Sequence, residues 1–323
     1  MGARKAVDGR AIGLMVVLCT VWGMQQVALK ATAGDISPAL QISVRSGIAA
    51  VLVALVMVAR KEKISLASGL WRPGLVVGIL FASEYVFVSQ ALHYTSAAHT
   101  SVFLYTAPVF AALGLHWKLA DERLAPLQWI GIAIAFAGIV TAFLGHGLSD
   151  SFVNMGQALR GDALALAAGA SFGATNVVIR CTGLARAPAT ETLLYQLVGA
   201  FVLLLAVAAT GGELSLNPTP AAWAGLVFQT LVVSFASFLV WFWLLRHYLA
   251  SRLGVLSFMT PIFGVALGAW LLNEPIEPTF LAGALLVLGG IALVSGYEWL
   301  RDAAVRRHQS SNAYGPPRSK ARR

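Results

Sequence analysis

The feature that most restricts this chain is its punctuation: long apolar runs, separated by short charged or Pro/Gly-containing breaks, follow one another ten times. A helix needs ~20 mostly apolar residues to cross ~30 Å of hydrocarbon. Cutting at the breaks gives spans at about 11–30, 38–59, 73–92, 99–119, 127–145, 162–180, 192–210, 222–245, 253–272 and 279–297. Lipid offers no water to unpaired backbone groups, so these spans must be helices rather than open strands. Of the 323 residues, 58% are hydrophobic and 11% charged, and the mean hydropathy is +0.75. An ordinary soluble domain carries roughly a quarter charged residues. No stretch here could cover a water-facing surface, which excludes a soluble enzyme and a disordered regulator. The expected fold is an all-α polytopic membrane protein with ten transmembrane helices.

The net charge of +9 follows orientation rather than nucleic acid. With the N-terminus in the cytoplasm, 20 of the 23 Lys and Arg residues fall on that side, against Lys30 and Arg160 on the other. Arg45 is left inside a span. Both termini are therefore expected in the cytoplasm, residues 1–10 forming the N-terminal segment. Nine further apolar runs follow the first, so it reads as a retained span rather than a cleaved signal. Trp71, Trp117, Trp129, Trp223, Trp243, Trp270 and Trp299 fall near span ends, where an aromatic belt places them, whereas Trp22 lies mid-span. Residues 301–323, basic and Pro-containing, read as a disordered tail drawn to anionic headgroups, with a regulatory role as the other reading. Cys19 and Cys181 cannot build a disulfide framework.

The two halves repeat. Trp22-Gly23 through Val27 to Lys30 aligns with Phe172-Gly173 through Val177 to Arg180, and Thr106-Ala107-Pro108-Val109-Phe110 with Met259-Thr260-Pro261-Ile262-Phe263. Glu122, Gly131 and Gly138 recur as Glu274, Gly283 and Gly290 at one 152-residue offset. The expected halves are residues 11–148 and 149–300. Five spans per repeat invert the second relative to the first, an arrangement typical of alternating-access transporters with a site near the midplane.

With these motifs the chain resembles the EamA-type transporters of the drug/metabolite transporter superfamily, over residues ~11–297. The resemblance rests on Trp22-Gly23, Arg45, the run Ala91-Leu92-His93-Tyr94-Thr95-Ser96-Ala97-Ala98, Pro108 through Glu122-Arg123-Leu124, and Pro261 through Asn273-Glu274. It implies ten helices around a central cavity and export of small metabolites, often amino acids, across a bacterial inner membrane. The second repeat carries Tyr195-Gln196 where the first has Arg45-Ser46, so the arginine is not duplicated.

Ionisable groups inside a membrane cost ~2.5–3.5 kcal/mol each on insertion scales and are functional candidates by default. Arg45 and Glu84 lie ~10 and ~12 Å below the outer ends of their spans at 1.5 Å per residue, close enough in depth to pair. Arg45 is expected to bind a substrate carboxylate, and Glu84 an amino group or a coupling proton; the alternative is a permanent helix-to-helix ion pair. Trp22, Gln25, Gln26, Tyr85, Gln90, Tyr105, Asn176, Tyr195, Gln196 and Trp241 complete the expected substrate-binding lining, a few polar groups among aromatics that suit a small amphipathic ligand. Pro108 and Pro261 interrupt spans four and nine, as hinges or as static kinks. The GxxxG spacings Gly74-Gly78, Gly169-Gly173 and Gly264-Gly268 read first as close helix packing and second as a homodimer face. Glu122 and Glu274 end spans four and nine on opposite faces, as caps or as gates.

No cofactor or metal is expected, His99, His116 and His247 being scattered. Gly169-Ala170-Ser171-Phe172-Gly173 matches a hydrolase elbow but lies inside an apolar helix, and the chain has no Walker motif, so it reads as no enzyme and as driven by a gradient or by exchange. The function expected is secondary active or exchange transport exporting small metabolites, amino acids or analogues first. Drug efflux and metabolite uptake are the rivals within transport; a membrane scaffold or an intramembrane hydrolase are those outside it.

Overall fold

The computed structural model describes residues 8–62, 69–145, 152–217, 219–248, 253 and 256–313. The first seven residues, the junction at 148/149 and the tail beyond Ala313 lie outside these. Among the described residues eight helices are long and apolar enough to cross a membrane, and two shorter apolar ones, Pro126–Ala142 and Met259–Leu271, complete the ten expected. Their order is α1 Gly9–Ala31, α2 Pro38–Ala59, α3 Trp71–Tyr94, α4 Ala97–Leu104, α5 Ala107–Lys118, α6 Pro126–Gly145, α7 Phe152–Cys181, α8 Ala189–Thr210, α9 Pro220–Val227, a π-helical segment Phe228–Ala236, α10 Ser237–His247, α11 Met259–Leu271 and α12 Pro278–Ala313. Helix starts are set by caps written in the sequence. Asp8, Ser37, Ser96 and Thr219 each accept a backbone N–H of the following turn, and Pro38 and Pro220 occupy first-turn positions where a missing N–H costs nothing.

Five elements depart from the sequence expectation. Span four is two helices, broken at Tyr105–Thr106, with Pro108 in the first turn of α5. The same break recurs 152 residues later at Ser257–Phe258, before α11 and Pro261. Span six begins at Phe152 rather than 162, because no proline interrupts residues 152–161 and the polar Asp162 is bonded inside the bundle. Span eight changes to π geometry for nine residues. The last helix continues through Ala313, so residues 301–313 are helical, not a disordered tail. Ala and Arg in this stretch favour helix, Asp302 and Arg306 stand at the i,i+4 spacing of opposite charges, and the first proline comes only at 316.

Repeat-matched glycines do the close packing. A Cβ on Gly131 would lie 2.8 Å from the carbonyl oxygen of Gly290, and one on Gly138 would lie 2.7 Å from that of Gly283, so α6 and α12 cross backbone to backbone. Gly23 packs on Gly264 and Thr260 of α11 in the way that Gly173 packs on Ala107 and Ala111 of α5. Gly74 and Gly78 receive the ring and backbone of Tyr195 on α8. All three GxxxG pairs thus pack helices within one chain. Small residues let helix backbones approach where lipid supplies no hydrophobic drive.

Two faces result. One, called here the terminal face, carries Asp8, Lys118, residues 183–189 and Tyr248. The far face carries Lys30, Thr95, Glu213 and Glu274.

Candidate functional site

A cavity of about 580 Å³ lies between helices of both repeats, lined from α1, α2, α3, α5, α7, α8, α10 and the π segment. It runs from Arg45 and Glu84 toward the terminal face, where exposed Ala185 and Ala189 stand at its mouth. Of the residues expected to line it, Trp22, Gln25, Gln26, Arg45, Glu84, Tyr85, Tyr105, Asn176, Gln196 and Trp241 do so, and Gln90 and Tyr195 are not on its wall. Of the two prolines expected as hinges or kinks, Pro108 lies on the wall and Pro261 does not. Gln90 follows Glu84 by six residues, which turns it about 120° around α3 and carries it ~9 Å toward the far face. Tyr195, one residue before Gln196, is rotated about 100° and lies over Gly74 instead. Pro261 is buried at the start of α11, against α1.

Arg45 and Glu84 are buried, 2% and 3% exposed, and both reach the cavity, but they form no ion pair. The expected pairing is corrected by a different set of partners. Arg45 Nη1 donates to Gln229 Oε1 on the π segment, and Gln229 Nε2 in turn donates to the carbonyl of Gln25, 2.8 Å away. The guanidinium carbon stands 4.8 Å over the ring of Tyr85, whose hydroxyl accepts from Gln25 Nε2 at 3.4 Å. A cation desolvated over an aromatic face gains about 0.5–2 kcal/mol, which offsets part of its burial. Among the described residues eight buried side-chain atoms have no hydrogen-bond partner, and three of them, Arg45 Nε, Glu84 Oε2 and Gln26 Oε1, belong to residues that line this cavity. Buried polar groups are mostly satisfied, so a donor and two acceptors left open around one cavity make it a candidate site for a polar ligand.

The aromatic side of the cavity is held rigidly. Trp22 Nε1 donates to Ser237 Oγ at 3.0 Å, and its ring meets Trp241 edge-on at 5.6 Å. Phe81 and Tyr85 pack edge to face at 5.0 Å on α3.

Sequence reasoning missed several polar residues. Gln229 was hidden in an apolar run, although a glutamine in mid-span is a signal. Asp162, fully buried, was treated as a span boundary; it accepts from Thr95 Oγ1 at 2.6 Å and is hydrogen-bonded to His99 Nδ1 at 2.9 Å. The His99 ring stacks on Phe280, centroids 3.8 Å apart. Glu191, 2% exposed in the first turn of α8, is a third buried acid.

The far face is sealed above this site. Lys30 Nζ donates to the carbonyls of Leu92 and Thr95 at the end of α3. Asn273, in the left-handed region at φ 53°, turns the chain after α11 so that Glu274 folds back and accepts from Ala97 N (2.7 Å) and Ala98 N (3.1 Å) at the start of α4. The loops after α1 and α8 pair through the Ile36–Leu216 bridge and the Thr219–Asp35 hydrogen bond at 2.7 Å. Among the described residues no cluster of His, Cys, Asp and Glu could hold a metal.

An all-helical membrane bundle with two matched halves, a cavity between them open at one face and sealed at the other, is the architecture of a membrane transporter. Residues 9–144 and 159–296 each match the EamA-like transporter family, and the chain belongs to it. It is 25% identical over 279 residues to an uncharacterized transporter, YoaV, of Bacillus subtilis (strain 168), covering 86% of this chain and 94% of that one. It is 26% identical over 308 residues to a protein of Escherichia coli (strain K12) described as a probable amino-acid metabolite efflux pump, covering 92% and 98%. A solved crystal structure shares the fold with a TM-score of 0.60 at 22% identity, over 89% of this chain and 98% of that one. Ser171 of the elbow-like motif lies within the long helix α7, with none of the strand-turn-helix geometry a nucleophile elbow needs.

Proposed function

We propose that this transporter exports small metabolites, amino acids or their analogues, across the bacterial inner membrane by alternating access, with its termini in the cytoplasm. The observation that carries the reading is the set of open polar atoms in the cavity, Arg45 Nε, Glu84 Oε2 and Gln26 Oε1, between the walls formed by Tyr85, Trp22 and Trp241. An amino acid offers a carboxylate to the guanidinium, an ammonium to the carboxylate and a side chain to the aromatic wall. Arg45 and Glu84 make no direct ion pair, so each can turn a hydrogen-bonding edge to a substrate between them. With the terminal face cytoplasmic, the mouth beside Ala185 and Ala189 is the loading side for export. Glu84 also serves as the carrier of a coupling proton in this reading. The E. coli relative's description as an amino-acid metabolite efflux pump points to the same substrate class.

Purified protein in liposomes preloaded with unlabelled amino acids and other metabolites tests this by counterflow of each labelled species. Saturable counterflow of one amino-acid class is expected, and no counterflow across the panel with folded protein contradicts the reading. Arg45→Gln removes a charged hydrogen bond and is expected to lower uptake of carboxylate substrates by about ten- to a hundredfold. Glu84→Gln is expected to abolish pH-gradient dependence while sparing exchange; gradient-driven flux that survives in Glu84→Gln removes the proton role.

A further inference from the structure

A second cavity, of about 230 Å³, lies between α2, α8 and the π segment with α10, near the terminal face. Its chemistry is graded along the membrane normal. Arg60, Thr190, Trp243 and His247, all at helix ends on that face, form the mouth. Val53, Val56, Phe235 and Leu239 form the interior, up to seven residues from Arg60 along α2, or ~10 Å at 1.5 Å per residue. A polar mouth at headgroup depth over an apolar chamber has the profile of a phospholipid, not of a soluble metabolite.

The charge at the mouth selects its sign. The Arg60 guanidinium is exposed and makes no ion pair among the described residues. A second cation reaches the rim at Trp243, where the Arg10 guanidinium lies 5.0 Å over the indole ring. His247 stacks on the same indole at 4.3 Å, its Nδ1 bonded to the Trp243 carbonyl and its Nε2 left for a donor or acceptor outside the chain. Of the carboxylates next to the rim, Glu62 is engaged by the Thr190 hydroxyl at 2.5 Å, and Glu191, the residue after Thr190, is buried beneath it. Basic pockets between transmembrane helices on the cytoplasmic side are sites for anionic headgroups. The gap has a structural cause: the π segment packs on α2, while α10 beyond it packs toward α1.

We propose that this chamber holds one acyl chain of an anionic phospholipid whose phosphate sits at Arg60, beside Arg10 and His247. Leu193, Ser234 and Phe238 form the wall between this chamber and the main cavity, so the lipid chain buttresses the open side of the main cavity.

Native mass spectrometry of the full-length protein in mild detergent, titrated with phosphatidylglycerol, phosphatidylethanolamine or inorganic phosphate, tests the assignment. One phosphatidylglycerol is expected to be held about fivefold more tightly than phosphatidylethanolamine, the scale of one cation near a headgroup. Arg60→Gln is expected to erase that preference, and Lys118→Gln, an exposed cation elsewhere on the face, to leave it intact. Val56→Trp, which fills the chamber, should weaken both lipids. If that variant fails to fold, Leu239→Trp replaces it, and Arg60→Gln at its exposed helix end carries the test alone. Equal retention of the two lipids, a preference that survives in Arg60→Gln, or displacement of phosphatidylglycerol by inorganic phosphate at matched concentration would overturn the proposal.

Discussion

Glu274 and Glu122 stand 152 residues apart at corresponding ends of the two repeats, yet they do different things. At the far face Glu274 is folded under the start of α4 and accepts two backbone N–H groups, while nearby Lys30 is committed to carbonyls at the end of α3. At the terminal face Glu122 pairs with Arg180, the counterpart of Lys30, through Oε1 to Nη2 at 2.8 Å, with the arginine side chain 61% exposed. The far face is therefore latched by half-buried charged groups on backbone, and the terminal face by a more exposed ion pair. Local sequence explains part of this. Gly268 leaves room for the Glu274 carboxylate, since a Cβ there would lie 2.6 Å from Oε2; 152 residues earlier stands His116, whose Nδ1 accepts from Leu124 N instead. Asn273 hooks the second loop back, whereas the first winds into a 3₁₀ turn, Ala120–Glu122. On the proposed alternating-access reading, the duplicated loop ends are one gate held in two conformations, and the cavity opens on the weakly held side.

The comparison is broken most severely by removing the latch. Glu274→Ala withdraws two charge-assisted hydrogen bonds, so transport is expected to fall at least about tenfold and the cavity to become reactive from the far face. Gly268→Ala, which only crowds the same carboxylate, should reproduce the effect at about two- to threefold. Transport and far-side labelling unchanged in both variants would show that Glu274 is a loop cap and no gate. The opposite substitution sharpens the contrast. Arg180→Gln removes an exposed pair worth under about 1 kcal/mol, so its melting temperature is expected to match the parent's within a few degrees. A large loss of stability there would make the two faces equivalent.

The smallest effect concerns pH. Asp8 caps α1, and the Ala11 N–H, aided by the Tyr248 hydroxyl at 3.0 Å, holds its carboxyl below the usual range. A folded value lowered in this way stabilises the protein above roughly pH 4 and loses that contribution as pH falls through the lowered value. Asp8→Asn, which keeps the cap and drops the charge, is expected to flatten the pH dependence of melting in that acid window alone; an unchanged acid limb would remove Asp8 from the account.

The spans and the repeat were legible because hydropathy and residue identity carry them directly: the ten apolar runs, Trp22-Gly23 against Phe172-Gly173, and Glu122 against Glu274 all stand in the sequence. Helix rotation was not legible. In a membrane both the lipid side and the bundle side of a helix are apolar, so no periodicity told Gln196 from Tyr195 or Tyr85 from Gln90. Depth alone brought Arg45 and Glu84 together, but a pairing also needs facing side chains, and Gln229 from a helix read as wholly apolar took the guanidinium. The breaks at Tyr105–Thr106 and Ser257–Phe258 were signalled by their prolines, whereas the π segment at 228–236 has no proline or glycine to announce it.

The most direct measurement places a single reporter cysteine at Asn176 on the cavity wall, with Cys19 and exposed Cys181 replaced, and follows an impermeant maleimide added to one membrane face at a time. The account predicts fast modification from the terminal face and protection from the far face, with far-face reactivity rising once a transported amino acid is supplied. Modification from the far face without substrate, or equal rates from both faces, would contradict it.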